Sequence, residues 1–278
     1  MTILTFTLLV LAGSIASGAM GALTGLGGGT IIIPILVLGF HVNIQYAIGA
    51  SLVSVVATSC GAAAASAREG FSNLRVGIVL ELAATIGALA AAHAASLVPE
   101  RAIEFVFAAV LLYSAWQSLH PPVKSTDVEK PDPLAERLGL DGTYPGPDGP
   151  VAYCARAVPK GLAVMGIAGV ISGLLGIGSG ALKVLAMDHY MRLPFKVSTA
   201  TSNFMIGVTA AASAGVYLNR GYVAPGVAMP VMLGTLAGSL IGAKILVHAR
   251  VSILREIFTV VIGLMGLQMM LKAFGYAF

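Results

Sequence analysis

Lys183 stands in an apolar run, three residues after the glycine turn Gly176-Ile177-Gly178-Ser179-Gly180. An ammonium at bilayer depth costs on the order of 3 kcal/mol by insertion scales, so it requires a cavity, a partner or an anion. A little further on comes Ser198-Thr199-Ala200-Thr201-Ser202-Asn203, a cluster of short donors. Pro194 and Ser198 precede an apolar run, which reads as a helix start. Unpaired backbone N–H groups at such a start, with the helix dipole behind them, favour anions. A weaker copy lies earlier, in Gly25-Leu26-Gly27-Gly28-Gly29-Thr30 followed by Ile48-Gly49-Ala50-Ser51. Together the two copies read as one site for a small anion. Lys183 would supply charge, while Gly27, Gly28, Gly29, Gly178, Ser179 and Gly180 would allow tight turning and close backbone approach. Helix starts near Gly49 and Ser51, and near Ala200 and Ser202, would supply N–H donors, joined by Thr199, Thr201 and Asn203. A structural reading competes with this one. In it the lysine snorkels from a helix end, and the hydroxyls only bond neighbouring helices.

Other chemistries have less to build on. The glycine turns do not follow a strand in a βαβ unit and lack an acidic ribose partner, so a dinucleotide loop is rejected. Cys60 sits in an apolar run and Cys154 in a polar linker, which gives neither a disulfide nor metal-ligand spacing. With no nucleophile–base pair and no HExxH, the expectation is neither an enzyme nor a cofactor protein. Glu81, His93 and Asp188-His189 are the groups that could relay a coupling proton. Their structural alternatives are that Glu81 reaches an interface near Arg75, and that Asp188 pairs with Arg192 at i,i+4. Arg255 and Glu256 read as interfacial anchors.

The elements that must hold these residues are membrane helices. The chain has 278 residues, 57% hydrophobic and 10% charged, with a mean hydropathy of +0.91. A soluble domain carries about 25% charged residues. An all-α polytopic membrane protein is therefore expected. The net charge of +4 is small and its basic residues lie between apolar segments, which suits topology rather than nucleic-acid binding. Ten apolar segments are visible, roughly 3–22, 28–40, 46–67, 76–98 and 102–119, then 160–174, 180–191, 197–218, 223–247 and 253–274. The second of each half is short. A helix from Gly29 to Gly39 rises only about 15 Å, half the core of about 30 Å. The glycine turns are therefore expected inside the membrane, as short or re-entrant segments.

A shift of 151 residues, without gaps, superimposes the halves. It pairs Gly18 with Gly169, Gly29 with Gly180, Ser51 with Ser202, Thr58 with Thr209 and Gly87 with Gly238. Five segments per half is odd, so the expected fold is two inverted five-segment repeats. With ten segments, one face receives Arg68, Arg75, Lys124, Lys130, Arg137, Arg156, Lys160, Arg192, Lys196, Arg250 and Arg255, with Lys244 nearby; the other receives Arg101, Arg220 and Lys272. The positive-inside rule then makes the linker cytoplasmic and both termini external. Residues 1–120 form the first membrane repeat, 121–158 the linker and 159–278 the second repeat. Met1 to Met20 reads as a first helix rather than a cleaved signal. In the linker, Tyr144-Pro145-Gly146-Pro147-Asp148-Gly149-Pro150 is turn chemistry, flanked by a small hairpin or set in a flexible tether. Small-residue faces, Gly87 with Ala91 and Gly234 with Gly238, pack either within the chain or between two copies in a homodimer.

These stretches resemble the sulfite exporter TauE/SafE family of membrane permeases. The resemblance rests on Gly25 to Pro34 with Ala47-Ile48-Gly49-Ala50-Ser51, and on Gly176 to Val184 with Lys196 to Gly207. Two positions depart from the family pattern: Ser179 stands where glycine usually repeats, and Leu185 where a proline usually follows Lys-Val. Membership implies a secondary carrier that exports small sulfur-containing anions, such as sulfite or organosulfonates, across the inner membrane. Its expected mechanism is alternating access, with proton coupling as an option. An anion channel, a carrier of another organic anion, and a membrane assembly protein remain alternatives on the residues alone.

Overall fold

The computed structural model describes residues 3–24, 28–68, 70–119, 132–146, 149–246 and 251–275. The first half opens with α1 (Ile3–Thr24), an uncharged helix, followed by the six-residue α2 (Gly29–Pro34), which runs on into a wide π-type turn at Ile35–Gly39. Next come α3 (Ile44–Arg68), α4 (Leu74–Ala94) and α5 (Glu100–Leu119). The linker holds α6 (Pro133–Leu138) and an antiparallel hairpin of β1 (Gly142–Gly146) and β2 (Gly149–Tyr153). The second half repeats the order: α7 (Val158–Leu175), α8 (Gly180–Leu185) with its own wide turn at Ala186–Tyr190, α9 (Phe195–Asn219), α10 (Pro225–Leu246) and α11 (Val251–Ala273). Each expected apolar segment is helical, with its ends displaced by a few residues.

Among the described residues, four helices, α1, α4, α7 and α10, contain windows long and apolar enough to cross a bilayer. Their outward side chains include Leu8, Ile78, Leu82, Ile86, Ile167, Leu233 and Leu240, all exposed. In water such a surface would aggregate; against lipid tails it is the expected solvent face. The chain is thus an all-α, multi-pass membrane protein.

The packing is preserved when the halves are exchanged. α1 lies along α10 as α4 lies along α7; α3 meets α10 as α9 meets α4; α3 crosses α9, and α5 packs on α11. Glycines make the crossings. A Cβ at Gly18 would sit 2.2 Å from the Thr235 carbonyl oxygen, and one at Gly169 would sit 2.0 Å from that of Ala84. Likewise a Cβ at Gly238 would sit 2.0 Å from the Ile15 carbonyl oxygen, and one at Gly87 would sit 2.4 Å from that of Gly166. Each member of one crossing lies 151 residues from its counterpart in the other. These small-residue faces are therefore used within the chain, which is how helices approach closely in lipid.

The two half-length helices leave the middle of the bundle in opposite directions. Gly28 sits beside α1, where Ser17 Oγ donates to its carbonyl at 2.6 Å, and α2 runs back until Phe40 meets Phe6 edge-on at 5.3 Å. α8 runs back along α7 until Met191 packs on Gly161 and accepts from Arg156 N at 3.1 Å. One end of the bundle carries Asn43 Nδ2 donating to Glu100 at 2.7 Å, the Lys272–Glu104 pair at 3.0 Å, and Arg220 donating to the carbonyls of Ala92 and His93. The other carries the hairpin.

The described part of the linker, 132–146 and 149–158, is docked on the helix ends. Ala135, Leu140, Ala155 and Val158 form a core with Val76, Leu80, Met187, Met191 and Leu193. Asn73 caps α4 through Val76 N and donates to Leu140 O at 3.1 Å and Tyr153 Oη at 2.7 Å. Burial pushes the Tyr153 phenol above its ordinary pKa, with the Asn73 hydrogen bond working the other way. Arg75 beside Gly139 and Lys196 over the Phe71 ring at 5.4 Å also sit at this end. The side chains of Arg68, Lys124, Lys130, Lys244, Arg250, Arg255 and Glu256 lie outside the described residues.

Candidate functional site

The second glycine turn is buried throughout, Gly176 to Gly180. Its backbone is left-handed at Gly176 (φ 68°), Gly178 (φ 70°) and Ser179 (φ 45°). At Ser179, a residue with a Cβ, that conformation is strained. The turn meets the first half directly. Ser51 Oγ donates to Gly176 O at 2.8 Å, and a Cβ on Gly29 would fall 2.6 Å from Ser51 Oγ. A Cβ on Gly178 would fall 2.7 Å from Ile206 and 3.2 Å from Val55. The two glycine regions and the middles of α3 and α9 therefore converge, as the duplicated pattern leads one to expect. Gly27 lies outside the described residues.

Lys183 is wholly buried, one helical turn into α8. Its ammonium donates to Glu81 Oε2 at 3.1 Å, to Met205 O at 3.0 Å and to Thr209 Oγ1. The other carboxylate oxygen of Glu81, Oε1, accepts from both Thr85 at 3.1 Å and Thr209. Snorkelling is excluded. The expected interfacial role of Glu81 near Arg75 is corrected as well: its carboxylate is buried and paired with Lys183. A charge at this depth is stable only with a partner of opposite sign. Glu81 as the partner and Thr209 as the bridging hydroxyl escaped the sequence reading. The available signal was that two lone opposite charges occur in otherwise apolar segments.

The helix starts also differ from expectation. α3 begins at Ile44, where Asn43 Oδ1 accepts from Gln45 N at 2.9 Å, and α9 begins at Phe195 after Pro194. Ser51 and Ser202 are therefore seven residues inside their helices. Their backbone N–H groups belong to the helical ladder and are not free first-turn donors. Gly49 serves close packing, since a Cβ there would fall 2.3 Å from Tyr222 O. Thr201 Oγ1 accepts from Asn73 N at 3.0 Å, and Ser202 Oγ reaches Gly180 O at 3.5 Å. Asn203 is half-buried on α9. Ser179, Ser198 and Thr199 keep buried hydroxyls without a partner among the described residues. Asp188 stands on the wide turn that ends at Tyr190, so Arg192 falls beyond the helix and the i,i+4 spacing has no continuous α-helix to act on. His93 is exposed and bonded to Leu89 O at 2.8 Å, at the Arg220 end.

A cavity of about 20 Å³, room for a single water, lies beside the turn and is lined by Thr30, Val110, Ser114, Ile177, Ser179, Gly180 and Leu182. Ser179 and Gly180 border this cavity, whereas the Lys183 ammonium is not part of its lining and meets Glu81 on α4 and Met205 and Thr209 on α9. Residues 9–269 match the model of the family described as sulfite exporter TauE/SafE.

The chain belongs to the sulfite exporter TauE/SafE family. This makes it a membrane transporter and not an enzyme. It is 28% identical over 274 residues to "Probable membrane transporter protein YunE" of Bacillus subtilis, covering 96% of this chain and 97% of the relative. It is 28% identical to a second B. subtilis relative, "Probable membrane transporter protein YdhB", over 79% of this chain and 82% of the relative. A similarly named protein of Methanocaldococcus jannaschii is 26% identical over 97% of each chain. No solved structure matches the chain.

Proposed function

We propose that this TauE/SafE protein is a secondary carrier that exports small sulfur-containing anions, sulfite or organosulfonates, across the inner membrane by alternating access. In this reading ten segments form two inverted repeats, the glycine-turn segments enter the bilayer from opposite faces, the linker is cytoplasmic and both termini are outside. The anion binds where the repeats cross, at Lys183, with Ser179 and the neighbouring buried hydroxyls as further donors.

The observation that carries the reading is Lys183 itself, fully buried on a half-length helix that starts at the glycine turn in a chain whose outer face is apolar. The cavity beside that turn is too small for a sulfonate, so the halves must separate for a substrate to enter. This requirement suits a carrier better than an open channel. α8 with Lys183 belongs to one repeat and α4 with Glu81 to the other, so their separation is what would expose the ammonium.

The test is Lys183→Met in a Glu81→Gln background, which leaves no bare buried charge. Loss of a charge-assisted contact predicts that sulfite flux in reconstituted vesicles falls about tenfold or more relative to Glu81→Gln alone. Equal flux in the two would remove Lys183 from the site.

A further inference from the structure

We propose, resting on the reading that an anion binds Lys183, that Glu81 carries a coupling proton: protonation of its carboxylate releases Lys183 to the anion, and one proton crosses with each anion.

The geometry sets the problem. All three N–H donors of Lys183 are committed, to Glu81, to Met205 O and to Thr209. An anion can reach the ammonium only by displacing an acceptor. Met205 O belongs to the α9 backbone and Thr209 is neutral, which leaves Glu81, the acceptor with the same charge sign as the anion. If Glu81 stayed ionised, two negative charges would share one buried ammonium, and burial of an uncompensated charge is what the fold must avoid. A proton from water on Glu81 restores neutrality: the Lys183–carboxylate pair is exchanged for a Lys183–anion pair beside a neutral acid. On the far side the anion leaves, the proton returns to water, and the carboxylate re-forms its link with Lys183. Thr209 can follow the change, since its hydroxyl can donate to Glu81 or to Met205 O.

Among the described residues, no other ionisable group on the neighbouring elements takes this role. On α4 itself Arg75 and His93 are exposed. α7 offers Lys160, exposed at its first turn. Past α8 stand Asp188 and His189, on the wide turn. On α9, Lys196 is exposed, Tyr217 bonds to the carbonyls of Gly173 and Leu174, and Arg220 bonds to those of Ala92 and His93.

The duplication supplies an internal control. The positions 151 residues from Lys183 and Glu81 are Ile32 and Met232. The corresponding place in the other half is therefore built from apolar residues, so the architecture does not need an ion pair there. A buried ion pair adds little stability over apolar residues of similar volume, so retaining one in a single half calls for another reason.

The experiment uses the full chain in vesicles with an internal pH dye. Its probe is isethionate, a sulfonate whose charge is constant across the neutral range, with sulfite in parallel. For the wild type, inward isethionate flux is expected to acidify the lumen and to rise severalfold as the outside is made acidic. In Glu81→Gln, isethionate movement is expected to carry no protons and to lose its pH dependence. Wild-type flux without lumen acidification, or proton movement retained in Glu81→Gln, would overturn the proposal. If Glu81→Gln does not fold, Glu81→Asp takes its place: proton movement with a shifted pH dependence is expected, and a pH dependence identical to that of the wild type would overturn the role of Glu81. Absence of both isethionate and sulfite flux in folded wild type would refute the anion reading, and the coupling with it; flux without protons would refute the coupling alone.

Discussion

Lys183, Glu81 and Thr209 form one unit, and its energetics are those of a buried pair. Removing one charge strands the other, at a cost of about 3–5 kcal/mol, whereas replacing both by apolar residues of similar volume is close to neutral. Lys183→Met and Glu81→Leu are therefore each expected to lower the melting temperature in detergent sharply. The double variant should be more stable than either single variant. Ile32 and Met232 at the equivalent positions already show that an apolar solution is compatible with this architecture. Thermal unfolding of the four proteins checks this, and strictly additive losses would mean that the two side chains do not interact. The isolated charges were visible in the sequence, but their partnership was not: 102 residues separate Glu81 from Lys183, and nothing local to either residue names the other.

At the scale of elements, helix contact is set by what is missing from glycine. α1 and α10 touch through Gly238, where an added methyl meets the Ile15 carbonyl, and α4 and α7 touch through Gly169 in the same manner at Ala84. Gly238→Ala and Gly169→Ala should each cost about 1–3 kcal/mol through overpacking. Gly215→Ala on α9, where nothing lies within 4 Å, should instead gain about 0.5–1 kcal/mol from helix propensity. Melting temperatures of the three variants, measured side by side, separate the crossing glycines from the incidental one. Segment lengths were legible beforehand because apolar runs and their polar breaks are local. The short second segment of each half appears as α2 and α8 with their wide turns, in the expected place. Pro194 marked the start of α9, but the depth of the hydroxyls was not legible: α3 begins at Ile44 and α9 at Phe195, seven residues before Ser51 and Ser202.

For the whole molecule, the arrangement of charge at the two ends of the bundle predicts sidedness. Cys154 is exposed beside the hairpin, at the end with Arg75 and Lys196. In a Cys60→Ala background, a membrane-impermeant thiol reagent should label inverted vesicles and leave intact cells unlabelled. The opposite pattern would reverse the proposed topology. What the sequence by itself determined is the class and the modular plan: lipid-soluble helices, two copies offset by 151 residues, glycine turns leading into half-length helices, and the resemblance to one transporter family. Composition, run length and duplication are properties of the chain read along its length, and they survive without coordinates. Only the tertiary structure decided that Lys183 closes on Glu81, that Ser51 bonds the opposite glycine turn, and that the described part of the linker packs as a small core on the helix ends. Each of these joins residues whose distance depends on which helices cross and at what depth, and burial then leaves a charge or hydroxyl no partner except the one the crossing brings.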